Sequence, residues 1–204
     1  MINIKKLASL VVLVMAGMTS LHASAEVITF EDRPASQATI ANGYHGFNWN
    51  NFVSMDSNSG DDSGYRNGDA SPTKIAFNAY GTPAAISSAT SFILNSAFFT
   101  AAWNDGLNMH VVGLTADGDT LIKDFIINTG SALQVVFDWA DLLSVTFTSF
   151  GGVDNPAFPG AGTHFVLDDL TVNEAFTNEV PEPGSLALLA LGLLGFGLVR
   201  RRQR

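Results

Sequence analysis

The sequence predicts an all-β domain of the jelly-roll or β-sandwich type, placed between an N-terminal signal peptide and a C-terminal transmembrane helix. Three observations predict this arrangement. Short alternating runs rich in Phe, Val, Ile and Thr recur through the middle of the chain, where helical periodicity is nearly absent. Gly, Asn and Asp separate these runs, as expected of turns. Each end of the chain instead carries an apolar run beside basic residues.

The first 25 residues have the three parts of a secretory signal peptide. Lys5 and Lys6 form the basic start, residues 7–18 are apolar, and Ala23-Ser24-Ala25 is a small-residue cleavage site. We therefore expect signal peptidase to remove residues 1–25, which leaves Glu26 as the first residue of the exported chain. An uncleaved N-terminal anchor is the alternative.

Residues 26–175 are predicted to form one β-sandwich domain, large enough to bury a core. The turn residues Asn104-Asp105-Gly106 and Asp117-Gly118-Asp119 predict that Met109 to Leu114 is the middle strand of a meander. The predicted strands are Val27 to Phe30, Phe47 to Phe52, Lys74 to Ala79, Phe92 to Leu94, Ala97 to Trp103, Met109 to Leu114, Leu121 to Ile127, Val135 to Trp139, Leu143 to Phe150 and Thr163 to Val172.

Alternation in the run from Leu143 to Phe150 predicts that one face of this strand is buried. Leu143, Val145 and Phe147 fall on one face, and the intervening Ser and Thr residues fall on the other. Residues 53–73 form the one long irregular segment, and its Asp, Asn, Ser and Gly residues suit either a solvated loop or oxygen ligation of Ca²⁺. A solvated loop is favoured, because the spacing does not match an EF-hand.

Charge and composition exclude several classes of function. Between residues 26 and 180, four basic side chains stand against 18 acidic ones, which leaves a net charge of −14. A nucleic-acid partner is therefore not expected, since phosphate binding needs clustered Lys and Arg. The chain has no Cys, which excludes disulfides, thiol catalysis and Cys-ligated zinc.

Acidic residues near the two ends of the domain form a candidate metal site. Ile28-Thr29-Phe30-Glu31-Asp32 ends the first strand, and the last strand contains Leu167-Asp168-Asp169-Leu170. This pairing resembles the calcium-binding jelly rolls of many carbohydrate-binding modules. The resemblance implies a structural Ca²⁺ held by Glu31 and Asp168, with Asp169 as a further ligand. The alternative is that these side chains simply face water.

An aromatic cluster is the candidate ligand-binding surface. Residues 44–52 place Tyr44, His45 and Trp49 beside several amide side chains, a combination that stacks on sugar rings and binds their hydroxyl groups. Packing of Phe47 and Trp49 in the core is the favoured alternative, because large aromatic side chains are usually buried.

Catalysis is not expected. The chain contains no G-x-S-x-G, H-E-x-x-H or P-loop pattern, and its histidines show no metal-binding spacing. A glycosidase needs only two carboxylates beside a cleft, so a small glycan-cleaving enzyme stays an alternative.

The C-terminal segment has a distinctive order of residues. Pro181-Glu182-Pro183 lies in a short linker (176–184), an apolar run follows (185–199), and Arg200, Arg201, Arg202 and Arg204 belong to a basic tail (200–204). The apolar run is predicted to span the membrane, with the basic tail in the cytoplasm and the domain on the periplasmic side. A buried core helix is the alternative for so short a run.

This order closely resembles the PEP-CTERM sorting motif of Gram-negative bacteria that make exopolysaccharide. The resemblance implies processing by the membrane enzyme exosortase and delivery to the cell surface or extracellular matrix. The middle domain also resembles a group of uncharacterised PEP-CTERM proteins, in the runs Gly43 to Trp49 and Ser63 to Gly68 among others.

Together these features predict an exported, surface-sorted, non-catalytic protein that binds or organises extracellular polysaccharide. A purely structural envelope or matrix protein is the principal alternative.

Overall fold

A computed structural model of the chain describes residues 25–59 and 62–176. Apart from Ala25 and Phe176, the predicted signal peptide, PEP linker, transmembrane helix and basic tail lie outside these residues. By its internal contacts the chain divides into two units, Met1–Glu174 and Ala175–Arg204. Within the described residues, no helix is both long and apolar enough to cross a membrane.

The described residues form an all-β domain, which confirms the predicted fold class. It contains one α-helical turn, α1 (Gly64–Asn67). Its strands are β1 (Glu26–Ile28), β2 (Ala38–Thr39), β3 (Asn48–Asn50), β4 (Phe52–Asp56), β5 (Lys74–Asn78), β6 (Ala84–Ala101), β7 (Asn104–Asp105), β8 (Leu107–Thr115), β9 (Thr120–Ile127), β10 (Leu133–Phe150), β11 (Val153–Asp154) and β12 (Phe165–Val172).

Ten of these strands are connected by antiparallel pairing, and β6 and β10 each contribute to both layers of a β-sandwich. The later half of β6 pairs with β12 and with the early half of β10. The early half of β6 pairs with β3 and with the later half of β10, which also pairs with β8. One layer therefore continues through β12 to β5, β4 and β2, and the other continues through β8 to β9.

Each of these two long strands corresponds to two predicted strands. In β10 the division coincides with bulges, because the register with β6 shifts between Val136 and Ser144. Asp138 and Asp141 lie inside this stretch with φ angles of 50° and 56°. Asp tolerates this left-handed conformation better than most residues, and bulges of this kind bend a strand. The chain thus stays paired while it passes from one layer to the other.

Aromatic rings from both layers meet in the core. Phe99 of β6 packs against Phe147 of β10 and Phe125 of β9, with ring centroids 5.9 and 5.2 Å apart. Phe165 of β12 lies 6.1 Å from Phe147. Burial of each such side chain contributes about 1.5–3 kcal/mol, so these contacts account for much of the attraction between the layers.

The predicted meander is wrong at one of its two connections. The turn at residues 117–119 does join β8 to β9, with Gly118 at a φ of 91°. The turn at residues 104–106, however, does not pair β6 with β8. Instead β8 lies between β9 and β10, because β12 and the early half of β10 already pair with the two edges of the later half of β6. The short strand β7 in this turn pairs with β11.

The alternation predicted for residues 143–150 is present in β10. Val145 and Phe147 are completely buried, while Thr146 and Thr148 are partly exposed on the other face. The register shift at Leu142 places that residue in the core, with Leu143 only partly buried. The segment predicted to be irregular begins later than expected, because β4 continues to Asp56. The segment also contains the helical turn α1.

Candidate functional site

The predicted calcium ligands lie where β1 and β12 meet the end of the irregular segment. Asp168 is completely buried, and its Oδ2 accepts hydrogen bonds from the backbone N–H groups of Ala70 and Ser71, at 2.8 and 2.9 Å. Oε1 of Glu31 accepts hydrogen bonds from the backbone N–H groups of Thr73 and Lys74, at 2.9 and 2.6 Å. Both carboxylates therefore fasten residues 70–74 to the sandwich.

Asp169 differs from these two carboxylates. Its Oδ1 is buried and has no hydrogen-bond partner among the described residues. Burial raises the pKa of this carboxyl group and the negative charge of Glu31 adds to the rise, against the lowering effect of the Ser71 side chain. Burial also raises the pKa of Asp168 to about 6, against the lowering effect of the N–H groups that it accepts.

In residues 25–59 and 62–176, no group of three or more His, Cys, Asp or Glu side chains is arranged to hold a metal ion. Backbone N–H groups donate to Glu31 and Asp168 and so compensate their negative charge. In the predicted site, a Ca²⁺ ion compensates this charge instead. The calcium site stays a prediction, and the unpartnered oxygen of Asp169 is the feature that supports it.

Trp49, predicted as a ligand contact, lies in the core. Its side chain is only 6% exposed and packs edge-on against Phe30 and Phe52. Its Nε1 donates a hydrogen bond of 2.9 Å to the backbone oxygen of Tyr44. Neither face of the indole ring is open to a sugar, so the core alternative is confirmed for Trp49.

Tyr44 and His45 lie in a turn before β3 rather than on the strand with Trp49. His45 has a φ of 47°, and its Nδ1 lies against the carboxylate of Glu26. The Tyr44 hydroxyl donates to Oδ1 of Asp32 at 2.6 Å, and burial together with Asp32 raises the pKa of this hydroxyl. These polar atoms are already engaged within the domain, and a ligand-binding role for the two residues stays a prediction.

A different surface carries a solvent-open depression lined by exposed apolar and polar side chains. Near the end of β10, a depression of about 660 Å³ is open to solvent on the sheet of β10, β8 and β9. Phe150 and Ile126 are 53% and 58% exposed there, although both are large apolar side chains. The depression is lined by Asn108, Met109, Asp124, Phe125, Ile126 and Phe150.

Strand register brings polar groups next to these apolar side chains. Asn108 lies opposite Phe150 on one side and opposite Ile126 on the other. Two positions along, His110 lies opposite Asp124, and its Nδ1 is 2.6 Å from Oδ1 of Asp124. One surface thus presents an aromatic ring, an amide, a carboxylate and an imidazole, a combination that contacts both the apolar and the hydroxyl-bearing parts of a sugar.

This surface is not among the predicted sites, although the alternation in β10 indicates one of its residues. The same period of two that buries Val145 and Phe147 places Phe150 on the outer face with Thr146 and Thr148. An aromatic residue on the water-facing side of a strand is informative, but its neighbours Asn108 and Asp124 follow only from the order of β10, β8 and β9.

Known proteins resemble two separate parts of the chain. Residues 179–202 match the PEP-CTERM protein-sorting motif, which confirms the predicted motif around Pro181, Glu182 and Pro183. The motif indicates a secreted, membrane-associated substrate of an exosortase. No curated protein matches the chain in sequence.

The β-sandwich resembles solved structures at low sequence identity. A DUF4465 family protein from Bacteroides caccae is 13% identical, with a TM-score of 0.54 over 75% of this chain and 100% of that one. A DUF4465 protein from Bacteroides ovatus is 9% identical, with a TM-score of 0.39 over 75% and 95% of the two chains. TmCBM61, solved with β-1,4-galactotriose, is 7% identical, with a TM-score of 0.37 over 64% and 92%. At 13% identity, the first of these shows a shared fold and nothing about activity.

Proposed function

We propose that this protein is exported, sorted to the surface of a Gram-negative bacterium and binds or organises extracellular polysaccharide without cleaving it. The observation that carries the proposal is the exposed ring of Phe150 beside the solvent-open depression on β8, β9 and β10. The sorting motif at residues 179–202 supports the location, because an exosortase substrate is delivered outward across the inner membrane. In this proposal the C-terminal helix first anchors the chain with the domain on the periplasmic side, and exosortase processing near Pro181 then releases the domain to the cell surface or matrix.

The chemistry of the depression suits a sugar. A pyranose ring has faces of C–H groups that stack on an aromatic ring, and hydroxyl groups that need hydrogen-bond partners. Phe150 supplies the ring and Asp124 supplies acceptor oxygens. The Asn108 amide donates to the backbone oxygen of Phe150 at 3.3 Å, which holds it beside the ring with its own oxygen available to a ligand.

The charge of the chain restricts the class of polysaccharide. Residues 26–180 carry a net charge of −14, which repels anionic polymers at low salt. A neutral polysaccharide, or an anionic one bridged by divalent cations, is therefore the proposed ligand. Nucleic acid is excluded as a proposed ligand by the same charge repulsion.

We further propose that Ca²⁺ stabilises the domain at the predicted ligands Glu31, Asp168 and Asp169. The unpartnered Oδ1 of Asp169 supports this, because a buried carboxylate oxygen without a partner is costly unless a cation compensates it. This proposal is independent of the sugar site, which lies on other strands.

Co-sedimentation with insoluble polysaccharide, including the producing cell's own exopolysaccharide, tests the proposed function on the purified full chain. The wild-type chain is expected to bind saturably, and Phe150→Ala is expected to bind much more weakly. Val136→Ala is a matched control, since Val136 is 51% exposed on the other half of β10. Release of soluble reducing sugar would indicate a glycan-cleaving enzyme, and no binding in Ca²⁺ or in chelator would favour a structural envelope protein.

A further inference from the structure

Among the large hydrophobic side chains of the described residues, Tyr80 is the most exposed. It lies in the short turn Ala79–Gly81 between β5 and β6, and 89% of its surface is open to solvent. An exposed aromatic side chain on a loose loop would need no explanation. The turn that carries Tyr80 is not loose, however.

The side chains of Asn51 and Thr163 fix the backbone of this turn through hydrogen bonds. The Nδ2 atom of Asn51 lies within hydrogen-bond distance of the backbone oxygens of Ala79, Thr82 and Pro83, at 3.1, 3.2 and 3.0 Å. It also lies 2.8 Å from the hydroxyl of Thr82. On the other side, the Thr163 hydroxyl donates to the backbone oxygen of Gly81 at 3.0 Å. The backbone on both sides of Tyr80 is therefore fixed.

The backbone of Tyr80 itself is strained. Its φ of 59° and ψ of 13° lie in the left-handed region, where Gly or Asn is accommodated more easily than a bulky side chain. Residues that keep such a conformation cluster at functional sites. Here hydrogen bonds fix the backbone of the turn that carries the exposed ring, so less backbone freedom is lost when the ring binds a ligand.

The turn lies at the same end of the sheet as Phe150. Ala84 pairs with Phe147, so the residues just before β6 run alongside the end of β10. A buried Asn78 side chain joins the two segments, because its Nδ2 donates to the backbone oxygen of Thr82 and to the hydroxyl of Ser149, at 3.0 and 3.2 Å. Tyr80 follows Asn78 by two positions, and Phe150 follows Ser149 by one.

We propose that Tyr80 is a second aromatic contact of the sugar site, so that the site takes an internal stretch of an extended polysaccharide chain rather than a single sugar. This inference rests on the proposed function. When Phe150 has bound one part of a polysaccharide chain, the next part of the same chain is held near Tyr80 at a high effective concentration. The two contacts together therefore bind a long chain more tightly than either contact alone. The surroundings of Tyr80 suit a glycan better than a protein, since the exposed residues beside it, Asn50, Thr82 and Pro83, include no large apolar side chain.

The test compares long and short ligands on the purified full chain. The probes are the producing cell's exopolysaccharide, intact and after partial acid hydrolysis to short oligosaccharides. Tyr80→Gly removes the ring and relieves the strained backbone, so folding should be unharmed. We expect the Kd of Tyr80→Gly for intact polymer to rise by about tenfold or more, with the Kd for short oligosaccharides changed by less than about twofold.

Two control variants separate the ring from the backbone. Tyr80→Phe keeps the ring and should bind polymer as the wild type does. Asp138→Gly makes a comparable backbone change at an exposed residue with a φ of 50°, in the other half of β10, and should also bind as the wild type does.

Each outcome separates this inference from the proposed function. Wild-type affinity of Tyr80→Gly for intact polymer would overturn the role of Tyr80 alone, as would an equal loss for long and short ligands. Absence of wild-type binding to every probe would overturn the proposed function, and this inference with it.

Discussion

Phe147 and Phe150 lie three positions apart on β10, yet Phe147 is completely buried and Phe150 is 53% exposed. The difference follows from strand geometry, because successive side chains point to opposite faces of a sheet. Phe147 contacts Phe52, Phe99 and Phe165 in the core. Phe150 instead borders the solvent-open depression. One strand thus supplies both the core and the proposed sugar site.

This relationship predicts opposite effects of the same substitution. Phe147→Ala should lower the free energy of unfolding by about 3–5 kcal/mol, since it leaves a cavity between the two layers. Phe150→Ala should change it by less than about 0.5 kcal/mol, as expected for an exposed side chain. Urea unfolding followed by tryptophan fluorescence measures both values. Equal destabilisation by the two substitutions would contradict the assignment of faces.

Much of this arrangement was predictable from local sequence pattern. The alternation of Val145 and Phe147 with Thr146 and Thr148 identified the buried face of β10, because a period of two is a local property. The bulges at Asp138 and Asp141 were not predicted, since polar residues inside an apolar run suggest a break rather than a bend. The proposed sugar site did not follow from the sequence either, because Asn108, Asp124 and Phe150 come together only through the order of three strands.

Trp49 provides a test of the corrected site assignment. Trp49→Phe keeps an aromatic side chain in the core but removes the hydrogen bond from Nε1 to the backbone oxygen of Tyr44. We expect a loss of about 1 kcal/mol in the free energy of unfolding, and no change in polysaccharide affinity. A large loss of affinity in a folded Trp49→Phe variant would restore Trp49 as a ligand contact.

The calcium proposal predicts a metal-dependent melting temperature. Saturating Ca²⁺ should raise the Tm of the chelator-treated chain by several degrees, because a ligand that binds only the folded state stabilises it. Asp169→Asn should abolish the shift. Asn tolerates the φ of 44° at this position as well as Asp does, so the substitution tests charge rather than backbone strain. Identical melting of the wild type in Ca²⁺ and in chelator would remove the metal site.

Asp168 predicts a pH dependence of stability in the metal-free chain. Burial raises its pKa to about 6 in the folded state, above the ordinary value of 3.8, so the folded chain holds this proton more tightly than the unfolded chain. The resulting stabilisation is fully present below about pH 4 and is lost as the pH rises through about 6. Carboxyl chemical shifts in an NMR titration in chelator should report this pKa directly. A value below 4 would show that the backbone N–H groups of Ala70 and Ser71 outweigh burial.

The two terminal motifs predict processing at both ends of the chain. Cleavage after Ala25 removes the signal peptide, and exosortase processing is expected near Pro181, within the matched sorting motif. Intact-mass spectrometry of the protein recovered from the cell surface should show neither end. A surface-located chain that retains both ends would contradict this prediction.

The central claim is that the outer face of β8, β9 and β10 binds polysaccharide. Isothermal titration of the purified full chain with soluble exopolysaccharide tests it most directly, with Phe150→Ala compared against Val136→Ala. We predict saturable binding by the wild type and by Val136→Ala, and a rise of about tenfold or more in the Kd of Phe150→Ala. Unchanged affinity of a folded Phe150→Ala variant would contradict the claim.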